Sequence, residues 1–228
     1  MQLLTDYPQW YDGIFDASPP VFHRQAFTRG GLSKRRQFAL FESLGLPVPR
    51  HGVVREVVSA LTTPALGCPL PPEAVAELRL VVYVDEFAHG GNGKRLLPLA
   101  EALVAFPEAY SSVFHLPPPG GRARTFRLAR VGRLVFWLEQ RGEAGDWRSN
   151  RQDTERVVSC RRTELPNPIP RVLWAIDFVV SADGLLAVDF NTAPDLSTLG
   201  ECGVLDTKDV AAELEWAQRM TPDLLRQF

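Results

Sequence analysis

Apolar positions in this chain fall at helical spacing in some stretches and alternate or run together in others, which predicts a mixture of helices and strands. The first helix is expected over residues 33–43. Ser33 is a suitable N-cap, Phe38, Leu40, Phe41 and Leu44 form an apolar side, Gly45 closes the helix and Pro47 prevents its continuation. Residues 53–61 read as strand-like or mixed, residues 62–72 as a proline-rich loop and residues 72–78 as a short helix opening on a tolerated proline. Residues 80–84 (LVVYV) have the pattern of a buried strand, followed by the glycine-rich loop HGGNGK at 89–94 and an amphipathic helix over 96–106. Residues 112–116 form a short strand and 117–121 a turn. Residues 126–138 give two strands about Gly132, and 141–156 a polar loop. A terminal helix is expected over 209–220 on Val210, Leu214 and Trp216, and residues 1–31 read as an aromatic-rich N-terminal arm with a short helix near 10–15. Without regular βαβ alternation, the expected class is α+β.

The stretch RVLWAIDFVVSADGLLAVDFNTAPDLS at 171–197 carries the chemistry. Two apolar runs flank a Ser-Ala-Asp-Gly turn, and each contains one acid, Asp177 or Asp189. Residues i and i+2 of a strand share a face, so Asp189 and Asn191 point the same way, and Asp177 joins them if the runs pair as a hairpin. Two carboxylates and an amide oxygen on one patch make a hard oxygen site suited to Mg²⁺. The ordinary alternative is a half-exposed hairpin whose acids face solvent. The apolar neighbours Ile176, Phe178, Leu186, Val188 and Phe190 weigh against it, because unpaired buried carboxylates are costly.

Composition narrows the setting. The 228 residues, with a net charge of −2, give no reason to expect nucleic-acid or membrane binding. The length allows one large domain or two small lobes. Three widely spaced cysteines, Cys68, Cys160 and Cys202, without a CxxC pair, argue against a disulfide framework or structural zinc, and a cytoplasmic location is expected. No signal peptide opens the sequence and no apolar run reaches membrane-spanning length. Lys34, Lys94 and Lys208 are the only lysines, against an excess of arginine. The histidines are scattered without metal-ligand spacing, and only His89 abuts the glycine-rich loop.

Four segments, in order, resemble the ATP-grasp superfamily, in particular its ribosomal-protein glutamate ligase-like branch. LSKRRQFALFESLGLPVP at 32–49 looks like the family's opening helix, which places Lys34 at a lysine that reaches ATP. LRLVVYVDEFAHGGNGKRL at 78–96 resembles a strand and the flexible loop over the triphosphate. There the backbone of Gly90, Gly91 and Gly93 would cradle phosphate, with Lys94 adding a point charge. Tyr83 stands where the family usually has a phosphate-binding lysine. FRLARVGRLVFWLEQRGEAGDWRSN at 126–150 is similar to the family's strand pair and Arg-Ser-Asn segment, which implies catalytic roles for Arg127, Arg141, Arg148 and Asn150. In the fourth segment the resemblance assigns Asp177, Asp189 and Asn191 to Mg²⁺, with Asp189 replacing the usual glutamate and Asp195 the usual glycine.

The resemblance covers about residues 32–199. It implies two α+β lobes holding nucleotide between antiparallel sheets, within a unit at 32–228 whose smaller lobe spans about 52–116. It further implies ATP and Mg²⁺ as cofactors, and a carboxylate–amine ligase that forms an amide or peptide bond through an acylphosphate. Small-molecule or peptide carboxylates and amines are the implied substrates. Family ligases usually carry about a hundred residues before the opening helix. The acceptor site is therefore expected to be incomplete, supplied by the arm, or completed by another subunit in a homodimer or by a partner. A non-catalytic binding or partner protein, or a kinase on the same fold, are the alternatives.

Overall fold

The computed structural model describes residues 33–63, 72–87, 93–115, 122–142, 146–148, 154–162, 169, 173–182, 184–191, 206, 208–209, 212–213 and 215–216. Helix α1 (Lys34–Ser43) begins at Ser33, whose hydroxyl accepts from the Arg36 N–H at 3.4 Å. It ends in a Schellman motif: the Gly45 N–H donates to Glu42 O and the Leu46 N–H to Phe41 O, both at 2.9 Å, with Gly45 at φ +68°. Both ends were readable because caps depend on neighbouring residues alone.

The first sheet is antiparallel, in the order β1-β4-β2-β3. Strand β1 (His51–Val53) runs directly into helix α2 (Val54–Thr62), which corrects the strand-like or mixed reading of 53–61. Val54, Val57 and Val58, at i, i+3 and i+4, are buried on one helical stripe, and burial of that stripe outweighs the β preference of valine. Helix α3 (Pro72–Glu77) leads to β2 (Arg79–Tyr83), which pairs with β3 (Lys94–Pro98) from Arg79↔Pro98 to Tyr83↔Lys94. The helix expected over 96–106 is therefore two elements, because Pro98 ends the strand and helix α4 (Leu99–Ala105) begins after it. Strand β4 (Tyr110–Val113) lies between β1 and β2. Along β2 the period of two is clear: Leu80 and Val82 pack in the cluster of α2 and α4, Val81 and Tyr83 in that of α1 and the second sheet.

The second sheet is also antiparallel: β5 (Arg124–Val131), β6 (Leu134–Arg141), β7 (Thr154–Arg162), β8 (Leu173–Ser181) and β9 (Gly184–Asn191), in the order β7-β6-β5-β8-β9. The polar loop expected to 156 stops short, since β7 begins at Thr154. Its charged sequence hides it, but charge is usual on an edge strand. The other edge, β9, is covered by α1 and the segment after it. Phe190 N–H donates to Gln37 Oε1 at 2.9 Å and Ala187 N–H to Pro47 O at 2.8 Å. The α+β class, with two antiparallel sheets, is thus the observed architecture. Among the described residues no helix is long and apolar enough to cross a membrane.

Residues 208–209, 212–213 and 215–216 are helical and anchor on the β5–β6 turn. Buried Glu213 accepts from the Arg133 N–H at 2.8 Å and from its guanidinium at 3.1 Å, while Trp216 covers that guanidinium at 4.4 Å. Gly132 turns the hairpin at φ +54°, and a Cβ there would lie 2.9 Å from Glu213 O and 2.7 Å from Glu213 Cβ. Gly132→Ala is therefore expected to cost about 2–4 kcal/mol, the sum of left-handed backbone strain and forced overpacking. Gly45→Ala, at a similar φ but with open space around it, is expected to cost only about 1–2 kcal/mol. Urea unfolding of both variants checks the pair; equal losses would rule out the contact with Glu213.

Candidate functional site

Three charged side chains form a row across the second sheet. Arg127 on β5 is the register partner of Asp177 on β8, which is the partner of Asp189 on β9. Directly opposed residues in an antiparallel ladder share a face, so all three point the same way. Asn191, opposite Ala175, is two residues further along that face. Arg127 grips Asp177 with both arms of its fork, Nε to Oδ1 at 2.7 Å and Nη2 to Oδ2 at 2.9 Å, and Asp177 is only 5% exposed. After Asp177 the register shifts, with Phe178 opposite Ala187, so Val188 is an extra residue on β9.

Helix α1 fills that bulge. The Lys34 ammonium donates to Val188 O at 3.2 Å, to Gln37 Oε1 at 3.0 Å and to Asp189 Oδ1. Lys94, opposite Tyr83 at the start of β3, lies 3.8 Å from Asp189 Oδ2. Two carboxylates thus face three cations, Lys34, Lys94 and Arg127, and the excess positive charge suits an anion. Burial pushes the Lys34 pKa down to about 8 despite the pull of Asp189, and the charge of Lys94 lowers it further. Tyr83 is buried between the sheets and shares a 2.9 Å hydrogen bond with the Ser112 hydroxyl; burial raises its pKa well above the usual phenol value.

A cleft of about 110 Å³ opens between the sheets. Tyr83 and Lys94 line it on one side, Thr125, Asp177 and Asp189 on the other, with Arg148 beside them. Small-molecule sites usually hold about 300–1,000 Å³, so this cleft is small beside them. The Arg148 guanidinium is held by Asp146 at 3.1 and 3.3 Å.

Of the residues singled out in the sequence, Lys34, Lys94, Arg127, Asp177 and Asp189 come together, Asn191 shares their face and Arg148 lines the same cleft. Gly93 precedes Lys94 at φ +67°, its carbonyl accepting from the Asp85 N–H at 3.3 Å. Lys94 is a strand residue, not part of the loop. Arg141 is not brought to the cluster. It pairs with Arg124, so the ladder puts it on the face opposite Arg127, where it donates to Glu139 at 2.9 Å and helps hold that carboxyl below its ordinary pKa. Gly90, Gly91, Asn150, His89 and Asp195 lie outside the described residues. Gln37 was missed, although its i+3 spacing from Lys34 on a helix was a usable signal. The Val188 carbonyl had no sequence signal at all.

No protein-family model and no curated protein matches this chain. Solved structures do. The chain is similar to the RiPP-associated ATP-grasp ligase of Chryseobacterium gregarium, in complex with ADP and a leader and core peptide. The identity is 16%, the match covers 86% of this chain and 60% of that one, and the TM-score is 0.47. It is similar also to the RimK domain protein ATP-grasp of Sphaerobacter thermophilus, at 18% identity, covering 80% and 66%, with a TM-score of 0.44. Two of these names are ATP-grasp names. D-alanine–D-alanine ligase of Bacillus anthracis, complexed with ATP, matches at 13% identity over 84% of this chain and 67% of that one, with a TM-score of 0.43. The chain spans 60% of the length of the first of these proteins. Among the described residues no group of three or more His, Cys, Asp or Glu side chains is placed to hold a metal ion.

Proposed function

We propose that this chain is an ATP-grasp-type carboxylate–amine ligase that uses ATP. The observation that carries the reading is the Arg127–Asp177–Asp189 row facing Lys94 across a cleft between two antiparallel sheets. In the reaction a substrate carboxylate oxygen bonds to the γ-phosphorus as the bond to ADP breaks. An amine then attacks the acylphosphate carbon, phosphate leaves, and the nitrogen loses its proton as the amide forms. Lys94 and Arg148 supply positive charge to the phosphate oxygens, and Arg127 fixes the position of Asp177. Asp177, Asp189 and Asn191 share one face and would hold Mg²⁺ through the oxygen lone pairs that Arg127 and Lys34 leave open; the ion would neutralise charge on the triphosphate. The acids and amines are amino acids, peptides or protein tails.

Calorimetric titration with ATP, with and without Mg²⁺, tests the reading. Saturable, metal-dependent binding is expected, and Asp189→Ala is expected to abolish the metal dependence. No binding at millimolar ATP would remove every catalytic reading. ADP formation without a new amide, across a screen of acids and amines, would move the assignment to a kinase. A nucleotide-binding protein without ligase turnover is the second reading. Tyr83 favours it: a buried phenol, bonded to Ser112, occupies the strand end where the resemblance puts a phosphate-binding lysine.

A further inference from the structure

We infer that Lys34 is a positioning residue that straps Asp189 and the bulge of β9 to helix α1, and that Lys94 alone of the two lysines meets phosphate; this rests on the nucleotide reading above. A lysine ammonium has three hydrogens to donate. All three of Lys34's are directed at protein oxygens: Gln37 Oε1 at 3.0 Å, Val188 O at 3.2 Å and Asp189 Oδ1. The side chain is 2% exposed and does not line the cleft. Turning it toward a nucleotide would strip a donor from a buried acceptor, a loss of the full desolvation cost of that group.

The same contacts explain what Lys34 is for. Gln37 Oε1 accepts from both Lys34 and the Phe190 N–H, so one amide oxygen ties the ammonium to the edge of β9 on the residue after Asp189. A bulge locally interrupts the ladder, and here the Val188 carbonyl finds its donor in Lys34. Helix α1 thereby sets the height of β9 and the direction of the Asp189 carboxylate. Lys94 differs on each point. It lines the cleft, its side chain is 13% exposed, and its 3.8 Å approach to Asp189 is an ion pair too long for a hydrogen bond. Among the described residues its ammonium makes no hydrogen bond, so its donors are available to an anion.

Lys34→Met and Lys94→Met separate the roles when each is read by hydrogen exchange in the ligand-free protein and by calorimetry with ATP, with and without Mg²⁺. Lys34→Met is expected to speed exchange at the Phe190 amide by about tenfold or more, the scale of a lost charged hydrogen bond, and to weaken ATP only in the presence of Mg²⁺, through the Asp189 carboxylate it no longer holds, with metal-free ATP affinity within about threefold. Lys94→Met is expected to do the reverse, weakening ATP by about tenfold or more without changing Phe190 exchange. Gln37→Leu, which keeps both lysines, covers the case in which Lys34→Met does not fold: faster Phe190 exchange with ATP affinity retained supports the strap. An Lys34→Met protein that loses ATP affinity as Lys94→Met does, with Phe190 exchange unchanged, overturns the inference. A wild-type protein that binds no ATP overturns the Lys94 assignment together with the nucleotide reading, while the exchange measurements still decide the strap.

Discussion

Asp177→Leu is expected to lower unfolding free energy by about 3–5 kcal/mol, the cost of leaving one member of a buried ion pair without its partner. The Arg127 side chain, 12% exposed in the parent protein, then loses its bidentate carboxylate. The pair itself is not expected to be a large source of stability, since desolvating both charges offsets most of their attraction. The double variant Arg127→Met/Asp177→Leu should therefore recover most of the loss, with about neutral stability relative to the parent. Urea unfolding of the two single variants and the double variant closes the cycle. A double variant no more stable than Asp177→Leu would mean the row is not organised as a pair. Metal-dependent nucleotide binding should be absent from all three, which would show that the pair is retained for the site rather than for the fold.

The second large effect is a rise in stability with pH. Burial lowers the Lys34 pKa from 10.5 to about 8, with Asp189 pulling it up and Lys94 pushing it down. Between those values the unfolded chain holds the lysine proton and the folded chain has released it, so stability increases with pH. The burden is fully present below pH 8 and is relieved as pH rises through the folded pKa. From about pH 8 to pH 10 the ligand-free protein should gain about 2–3 kcal/mol from this group, at 1.36 kcal/mol per pKa unit. Above pH 10 the buried phenols of Tyr83 and Tyr110, both pushed up by burial, act with the opposite sign, so the window closes there. The measurement is the urea midpoint of wild type against Lys34→Met across pH 7.5 to 10. Parallel curves would show that the lysine titrates at its ordinary value.

Both predictions depend on interactions that different parts of the sequence disclose unequally. Helix α1 was legible end to end, because Ser33, Gly45 and Pro47 act on the backbone within one turn of themselves. The hairpin of β8 and β9 was legible because alternation puts Asp177, Asp189 and Asn191 on one face wherever the two runs pair. Sequence alone also grouped carboxylates, an amide and a few lysines in segments that resemble one family. It did not show β3, whose pairing with β2 overrides a helical pattern, or α2, where valines usual in strands form a buried helical stripe. It missed β7 as well, where charges suit an edge. Tertiary structure decided the arrangement within the site. A single extra residue at Val188 changes the register of β9, an odd spacing puts Arg141 on the face away from Arg127, and burial between α1 and β9 commits the Lys34 ammonium to protein oxygens. Local spacing shows which groups can share a face; which of them remain available for a ligand depends on partners more than a hundred residues away.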